Sequence, residues 1–394
     1  VSNRLIENHL RSSGEPEDVL TDVDYAFMNR ARELARRGAG RTGPNPTVGA
    51  VVVRDGREVA TGYHRQNGDA HAEAVALNQA GEAARGATLY VTLEPCAHQG
   101  RTPPCVEQIV QAGIARVVFP AIDPDPRVRG RGMAALRDAG VRVDMGCLHD
   151  AAILDSLVFY HDRLEITPTV SLKMAITSDG KVARARGSRD DVTEKEARTD
   201  AHALRAAHDA VVIGVETMLI DRPLLDCRLL EGGVDREPMP VVLDTHARTP
   251  PDNQWSRSDR EYVVICAPSA DSTRVRALGR AGARVLHARA GARGLDIADT
   301  LRALREHCLH RILVEGGPSV FWSFVDAGAW DALWLYRSPR EFGSTGVPLA
   351  RAGQNLPGRL IDTRALGDDT CEAFVNEPSW EKLTGALSRA VTER

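Results

Sequence analysis

The chain reads as two α/β domains in tandem, the first of them a three-layer domain with helices on both faces of a sheet. Three observations predict this. At 394 residues the chain is longer than one hydrophobic core usually organises. Short β-branched runs alternate with helical periodicity along nearly its whole length, the pattern of a sheet covered by helices. The alternation pauses over 162–168 and restarts on a new strand after Pro168. The expected organisation is a poorly ordered polar segment over 1–20, one domain over 21–163 and a second over 168–394.

In the first domain a helix opens at Asp22 or Asp24, either of which can cap it, with Tyr25, Phe27, Met28, Ala31 and Leu34 on its buried side. Gly38 and Gly40 end it, and Gly43-Pro44-Asn45-Pro46 turns the chain into a strand over 47–53. Arg54-Asp55-Gly56-Arg57 is a hairpin turn, returning through 58–62. His71 opens the next helix, with Ala74, Val75 and Leu77 inward. A strand over 87–92 leads through Glu94-Pro95-Cys96 into a helical start, and Cys105 precedes periodicity at Val106, Ile109 and Val110. Strands over 116–119 and 141–145 flank a helix near 133–138, and a helix over 151–161 reaches the boundary.

The second domain begins with a strand over 169–177 and a tight turn at Ser178-Asp179-Gly180-Lys181. A helix over 193–207 is expected to be capped by Thr193, with Glu196 completing a capping box. Strands follow at 210–214, 240–243, 262–266 and 284–287, then a helix near 296–307. A strand at 311–314 enters a Gly316-Gly317 turn and a helix from Ser319, and 331–336 is a late strand. Glycines at such a turn let backbone N–H groups approach a phosphate. The G-x-G-x-x-G fingerprint is absent, so the standard dinucleotide-binding unit is not supported.

Chemistry concentrates between His71 and Cys105. One imidazole and two thiols, at His71, Cys96 and Cys105, form a three-ligand set for zinc, which leaves one tetrahedral position for water and marks a catalytic rather than a structural site. Glu73, two residues after His71, is the natural proton carrier for that water. His-x-Glu followed by Pro-Cys is the pattern of zinc nucleobase deaminases, except that the second thiol here lies beyond a Gly-Arg-Thr-Pro-Pro insert. A cysteine at a helix N-terminus has its thiolate stabilised by unpaired N–H groups. Asn45 sits on a turn expected to face this pocket, where its amide can read a heterocycle edge; His64 and His98 are weaker candidates for substrate contact.

The formal charge of -4 and an aromatic content of 5% argue against a nucleic-acid module, which needs a basic, aromatic-lined face. No apolar run reaches the length of a membrane span, and no signal-peptide core is evident. Seven cysteines, an odd number without framework spacing, suit a reducing, cytoplasmic setting.

These residues also carry a resemblance. Asn45-Pro46-Thr47-Val48-Gly49-Ala50-Val51-Val52-Val53, His71-Ala72-Glu73, Val91-Thr92-Leu93-Glu94-Pro95-Cys96 and the Gly-Arg-Thr-Pro-Pro-Cys segment resemble the bifunctional riboflavin-biosynthesis deaminase/reductase family. So do Ser171-Leu172-Lys173-Met174-Ala175 with Ser178-Asp179-Gly180, the stretch 217–223, Val242-Leu243-Asp244-Thr245 and Val314-Glu315-Gly316-Gly317. The resemblance implies a cytidine-deaminase-like first domain and a dihydrofolate-reductase-like second domain. It implies zinc on His71, Cys96 and Cys105, Glu73 as proton donor, and Asn45 and Arg101 on the substrate. NADPH would be touched by Ala175, Thr217, Asp221, Thr245 and the Gly317-Pro318-Ser319 turn, and the phosphorylated sugar held by Arg205, Leu225, Arg228 and Glu315. It further implies a phosphorylated pyrimidine substrate, no nucleic-acid or membrane partner, and a homo-oligomer, dimer or tetramer.

The chain departs from the family pattern at Arg189, where a serine is usual, at Asp191 in place of tryptophan, at Arg222 and at Ser344. An acidic Asp191 beside a cofactor phosphate would repel it. Two alternatives to the two-step enzyme therefore stand at this level: a deaminase with an altered, non-catalytic second domain, or a paralogue that uses the same pyrimidine intermediate in another pathway.

Overall fold

A computed structural model describes residues 20–99 and 103–392. The expected N-terminal segment, Leu20 apart, and Arg101 lie outside the described residues. The chain divides into two compact units: Thr167–Trp380, and Val1–Ile166 together with Glu381–Arg394.

The first unit starts with α1 (Asp22–Ala35), followed by β1 (Gly49–Arg54), β2 (Arg57–Tyr63), α2 (Ala72–Ala80) and β3 (Thr88–Val91). It continues with α3 (Cys105–Gln111), β4 (Arg116–Phe119), α4 (Arg131–Asp138), β5 (Arg142–Met145), α5 (His149–Asp155) and α6 (Leu157–Arg163). The five strands lie in the order β2-β1-β3-β4-β5. β1 is antiparallel to both neighbours, while β3, β4 and β5 run parallel. Alternation along β1 explains the three layers. Ala50 and Val52 face a core shared with α2 and α3, whereas Val51 and Val53 face Met28, Ala31 and Leu34 of α1.

Several local expectations are corrected. α1 is capped by Thr21, not by an aspartate: its side chain accepts from the Asp24 N–H while Asp24 bonds back to Thr21, a full capping box. Asp24 is buried instead in an ionic network, accepting from Arg116 at 2.6 Å and Tyr90 at 2.8 Å, and Arg116 also reaches Asp144. Tyr25 is exposed, one position off the buried stripe. Cys96 lies in a loop after β3 and opens no helix; only Cys105 does. The helix expected over 151–161 is two, broken at Ser156.

The second unit holds β6 (Thr169–Thr177), β7 (Lys181–Ala183), α7 (Lys195–Ala206), β8 (Ala210–Gly214), α8 (Val215–Asp221), β9 (Met239–Leu243) and β10 (Tyr262–Cys266). Then come α9 (Ser272–Arg280), β11 (Ala283–His287), the two-residue strands β12 (Ala290–Gly291) and β13 (Gly294–Leu295), and α10 (Ile297–Glu306). β14 (Arg311–Val314), α11 (Pro318–Asp326), β15 (Ala332–Ser338), β16 (Val347–Pro348), β17 (Arg359–Leu366), β18 (Asp369–Val375) and α12 (Glu377–Thr392) complete it, α12 ending in the first unit. Nine strands form one sheet, β11-β10-β9-β8-β14-β6-β15-β18-β17. The seven from β11 to β15 run parallel, and the β17–β18 hairpin closes the edge antiparallel.

β6 is central and two-faced. Val170, Leu172, Met174 and Ile176 enter the main apolar core, so Ser171, Lys173 and Ala175 fall on the opposite face. The capping box expected for α7 does not form: Glu194 is the cap residue, and the Asp369 carboxylate accepts its N–H at 2.6 Å. The β17–β18 hairpin and α12 were not anticipated. α12 buries Leu383, Leu387 and Val391 at four-residue spacing, and Val391 joins the apolar cluster of the first unit, so 381–394 groups there rather than with 168–380.

Candidate active sites

In the first unit, α2 lies directly on the sheet at Gly62, where a β-carbon would come within 2.3 Å of the Ala72 carbonyl oxygen. That approach brings His71, the residue capping α2, to the end of the sheet where β3 delivers Cys96 and α3 begins at Cys105. The ligating atoms of His71, Cys96 and Cys105 lie within 4.8 Å of one another. His71 Nδ1 is 3.2 Å from Cys105 Sγ and 3.6 Å from Cys96 Sγ. Tetrahedral zinc with its usual Zn–N and Zn–S bonds sets such N···S edges at about 3.5 Å, so the donor set fits the ion in chemistry and in spacing.

The cysteine loop is held from behind. Glu94 is buried and accepts three backbone N–H groups, from Gly130 at 2.7 Å and from Asp123 and Met133 at 3.1 Å. Gly132, in the first turn of α4, lets that helix touch the cysteine loop, since a β-carbon there would sit 1.9 Å from the Pro95 carbonyl oxygen. The Cys105 thiol, His71 and the Cys105 N–H all hydrogen-bond the Cys96 sulfur and, against burial, hold its thiol down at about 4. Glu73, 4% exposed, has its carboxyl pushed above the ordinary range by burial, with His71 drawing it the other way.

His64 packs edge-on to His71, ring centroids 5.9 Å apart, and its Nδ1 donates to the Ala70 carbonyl. His98 Nδ1 is buried without a hydrogen-bond partner among the described residues. Asn45 is exposed on its turn, its amide 3.5 Å from Asn67. Glu94 was missed as a supporting residue, although its place two residues before Cys96 was in view.

In the second unit, Arg205 of α7 forms a two-pronged bond to Glu315, at 2.6 and 2.9 Å. Lys173 approaches the same carboxylate at 3.8 Å. Burial pushes Glu315 up, but Arg205 and Lys173 outweigh it and hold the carboxyl down at about 2. Lys173 itself is lowered by burial, and His202 falls to about 4 by burial and the charges of Arg205 and Arg228. Arg228 is exposed and pairs with Asp226, while Leu225 is buried with φ +52°. The structure thus joins Arg205 and Glu315 directly and leaves Arg228 outside that pair. Lys173 was not assigned a role; the signal was a lone lysine in an apolar strand.

Thr217, Thr245 and Gly317 follow the carboxyl ends of β8, β9 and β14, which are consecutive in the sheet. A β-carbon on Gly317 would lie 3.8 Å from the Thr217 hydroxyl, so the starts of α8 and α11 adjoin. Pro318 and Ser319 form the first turn of α11, and Ala175 lies on β6 opposite Tyr336. Asp221 ends α8, raised by burial with Arg189 pulling it down. Two adjoining helix starts at the carboxyl edge of a parallel sheet suit the phosphates of a dinucleotide. Asp191 points its charge elsewhere: it is exposed and pairs with Arg198 at 3.3 Å.

Comparison with known proteins finds relatives of both units. Residues 21–121 match the cytidine and deoxycytidylate deaminase zinc-binding region, and 168–372 match the RibD C-terminal domain. The chain is 38% identical to the riboflavin biosynthesis protein RibD of Aquifex aeolicus, over 89% of this chain and 98% of that one. It is 36% identical to the Escherichia coli protein of the same name, over 88% and 98% respectively. Among solved structures, RibD of Acinetobacter baumannii shares 33% identity at a TM-score of 0.61, covering 90% of this chain and 98% of that one. A Thermotoga maritima diaminohydroxyphosphoribosylaminopyrimidine deaminase/5-amino-6-(5-phosphoribosylamino)uracil reductase shares 33% at 0.62, with the same coverage. With a zinc-type triad in one unit and a reductase-type sheet in the other, the chain belongs to the RibD family of riboflavin-biosynthesis enzymes, which join a deaminase to a reductase.

Proposed function

We propose that the first unit hydrolyses the exocyclic 2-amino group from a phosphoribosylated diaminopyrimidine, and that the second reduces the ribosyl chain of the product to a ribityl chain. The observation that carries this reading is the His71–Cys96–Cys105 triad with Glu73 buried beside it. The triad would hold Zn²⁺, which would supply Lewis-acid activation of a water at neutral pH. Glu73 accepts a proton from the attacking water and returns it to the departing nitrogen. A C–O bond forms, the C–N bond breaks, ammonia leaves, and the carboxylate ends as it began. Asn45 and Arg101 hold the pyrimidine and its phosphorylated arm, and burial keeps Glu73 from losing its proton to bulk water.

Bound NADPH would supply the hydride in the second unit. Ala175, Thr217, Asp221, Thr245 and the Gly317-Pro318-Ser319 turn line its place. Arg205, Leu225 and Arg228 face the phosphorylated sugar, and Glu315, kept ionised by Arg205 and Lys173, orients the ribosyl hydroxyls. Asp191 is exposed and paired with Arg198, so its charge is balanced by a neighbouring side chain, which supports the two-step enzyme over a deaminase alone.

Among the described residues no helix is long and apolar enough to cross a membrane, and no cysteine is in a disulfide. The edge strand β17, with Leu360 half exposed, supports a homo-oligomer, to be checked by sedimentation. Metal removal tests the reading itself. Chelation is expected to stop ammonia release while reduction of separately supplied deaminated product continues, and added zinc to restore the first step. Undiminished ammonia release from metal-free protein would overturn it.

A further inference from the structure

One side chain ties the loop behind the zinc cysteines to the last turn of α12. Arg129, half buried, donates from Nε and Nη2 to the Pro124 carbonyl, at 3.2 and 2.6 Å. Its Nη1 donates to the Ala390 carbonyl at 3.2 Å. Ala390 is among the final four residues of α12, whose carbonyls have no partner within the helix. A guanidinium at that end both satisfies a carbonyl and opposes the negative end of the helix dipole.

What Arg129 closes is the loop that supports the zinc ligands. Pro124 and Arg129 bracket a turn tightened by the Val128 N–H on the Asp125 carbonyl at 2.9 Å. The N–H groups of Asp123 and Gly130, on either side of that turn, are two of the three that Glu94 accepts. Glu94 in turn starts the Glu94-Pro95-Cys96 run. Apolar packing repeats the connection: Val128, Met133 and Val391 share one buried cluster with Cys96 and Cys105.

We propose that Arg129 is a positioning residue for the zinc loop, clamping the end of α12 onto the 123–133 segment that holds Glu94 and, through it, Cys96. The proposal rests on the zinc-deaminase reading above. It assigns to 381–391, a segment distant in sequence from the zinc motif, a part in the deaminase step rather than in the reductase step. Groups that hold a metal ligand from behind typically change metal affinity or activity by about 10–100-fold when removed. Arg129 acts one contact further back, so the effect falls at the lower end.

The test uses the full chain with Arg129→Ala, and with Val391→Ala as a milder change that leaves the loop's hydrogen bonds intact. Zinc affinity is measured by competition with a chromogenic chelator, and the thiolate-to-metal absorption is recorded on cobalt-substituted protein. Ammonia release and NADPH oxidation on supplied deaminated product are followed in parallel. For Arg129→Ala the expected result is about a tenfold loss of zinc affinity and of deaminase kcat. KM should be unchanged, the cobalt band altered and the reductase rate retained. Val391→Ala should move the same quantities less. Zinc affinity, cobalt band and kcat equal to those of the unaltered chain would overturn the proposal. Equal losses of both activities would overturn it too, by reducing Arg129 to a general stabiliser. If the unaltered chain binds no zinc and releases no ammonia, the deaminase reading fails and the proposal with it.

Discussion

Glu73→Gln is expected to keep zinc bound and to slow ammonia release by about a thousandfold or more, the scale of a lost general acid–base group. The amide preserves the shape of a side chain that is 4% exposed, so the fold and the three ligands stay in place. It cannot accept the proton of the attacking water or return it to nitrogen. Cys96→Ala makes the informative contrast. It removes one of the three donors clustered for a metal among the described residues and the sulfur to which the Cys105 N–H donates, so zinc and ammonia release should be lost together. Zinc content by elemental analysis beside an ammonia assay separates the two outcomes. Full ammonia release by Glu73→Gln would remove Glu73 from the mechanism.

Arg205→Ala should be the most damaging single change in the second unit. It deprives Glu315 of both bonds of the fork and leaves only Lys173, at 3.8 Å. Stranding a buried carboxylate costs about 3–5 kcal/mol. Reductase kcat/KM should fall by about a hundredfold, while ammonia release stays intact as an internal control. Arg205→Lys should recover part of this, because an ammonium keeps the charge but not the two-pronged geometry. The same pair sets an acid limit. Glu315 sits at about 2 in the folded chain against an ordinary value of 4.5, so its folded value is depressed. Its stabilising contribution is complete above the unfolded value and disappears as the pH falls from about 4.5 towards 2, an effect of about 3 kcal/mol. Denaturant titration of both proteins between neutral pH and pH 3 should show the unaltered chain losing stability in this window and Arg205→Ala losing much less. Unchanged stability in Arg205→Ala would contradict the role given to the pair.

The clustering of His71, Cys96 and Cys105 was legible because metal chemistry restricts both residue type and order along the chain. The parallel strands of both sheets were legible from β-branched runs, since strands buried on both faces leave a continuous apolar trace. Caps were less so. Thr21 outcompeted Asp22 and Asp24 because Asp24 is needed by Arg116 and Tyr90. At α7 the cap position passed from Thr193 to Glu194, whose N–H is held by Asp369, 175 residues distant in sequence, a partner no local pattern can announce. The β17–β18 hairpin escaped because β17 has neither a continuous apolar run nor a strict alternation: Leu360 and Ile361 are adjacent, and so are Asp362, Thr363 and Arg364. The Arg205–Glu315 pair joins residues 110 positions apart, so its geometry belongs to the fold rather than to any motif. The return of α12 to the first unit is likewise a tertiary fact.

The most direct test of the whole account is one reaction on the phosphoribosylated diaminopyrimidine, with ammonia and NADPH oxidation followed in the same tube. Ammonia release followed by NADPH consumption in equal amount is the predicted result, with the second signal lagging the first. No ammonia from zinc-loaded protein would contradict the assignment of the His71–Cys96–Cys105 site, and ammonia without NADPH consumption would contradict that of the second unit.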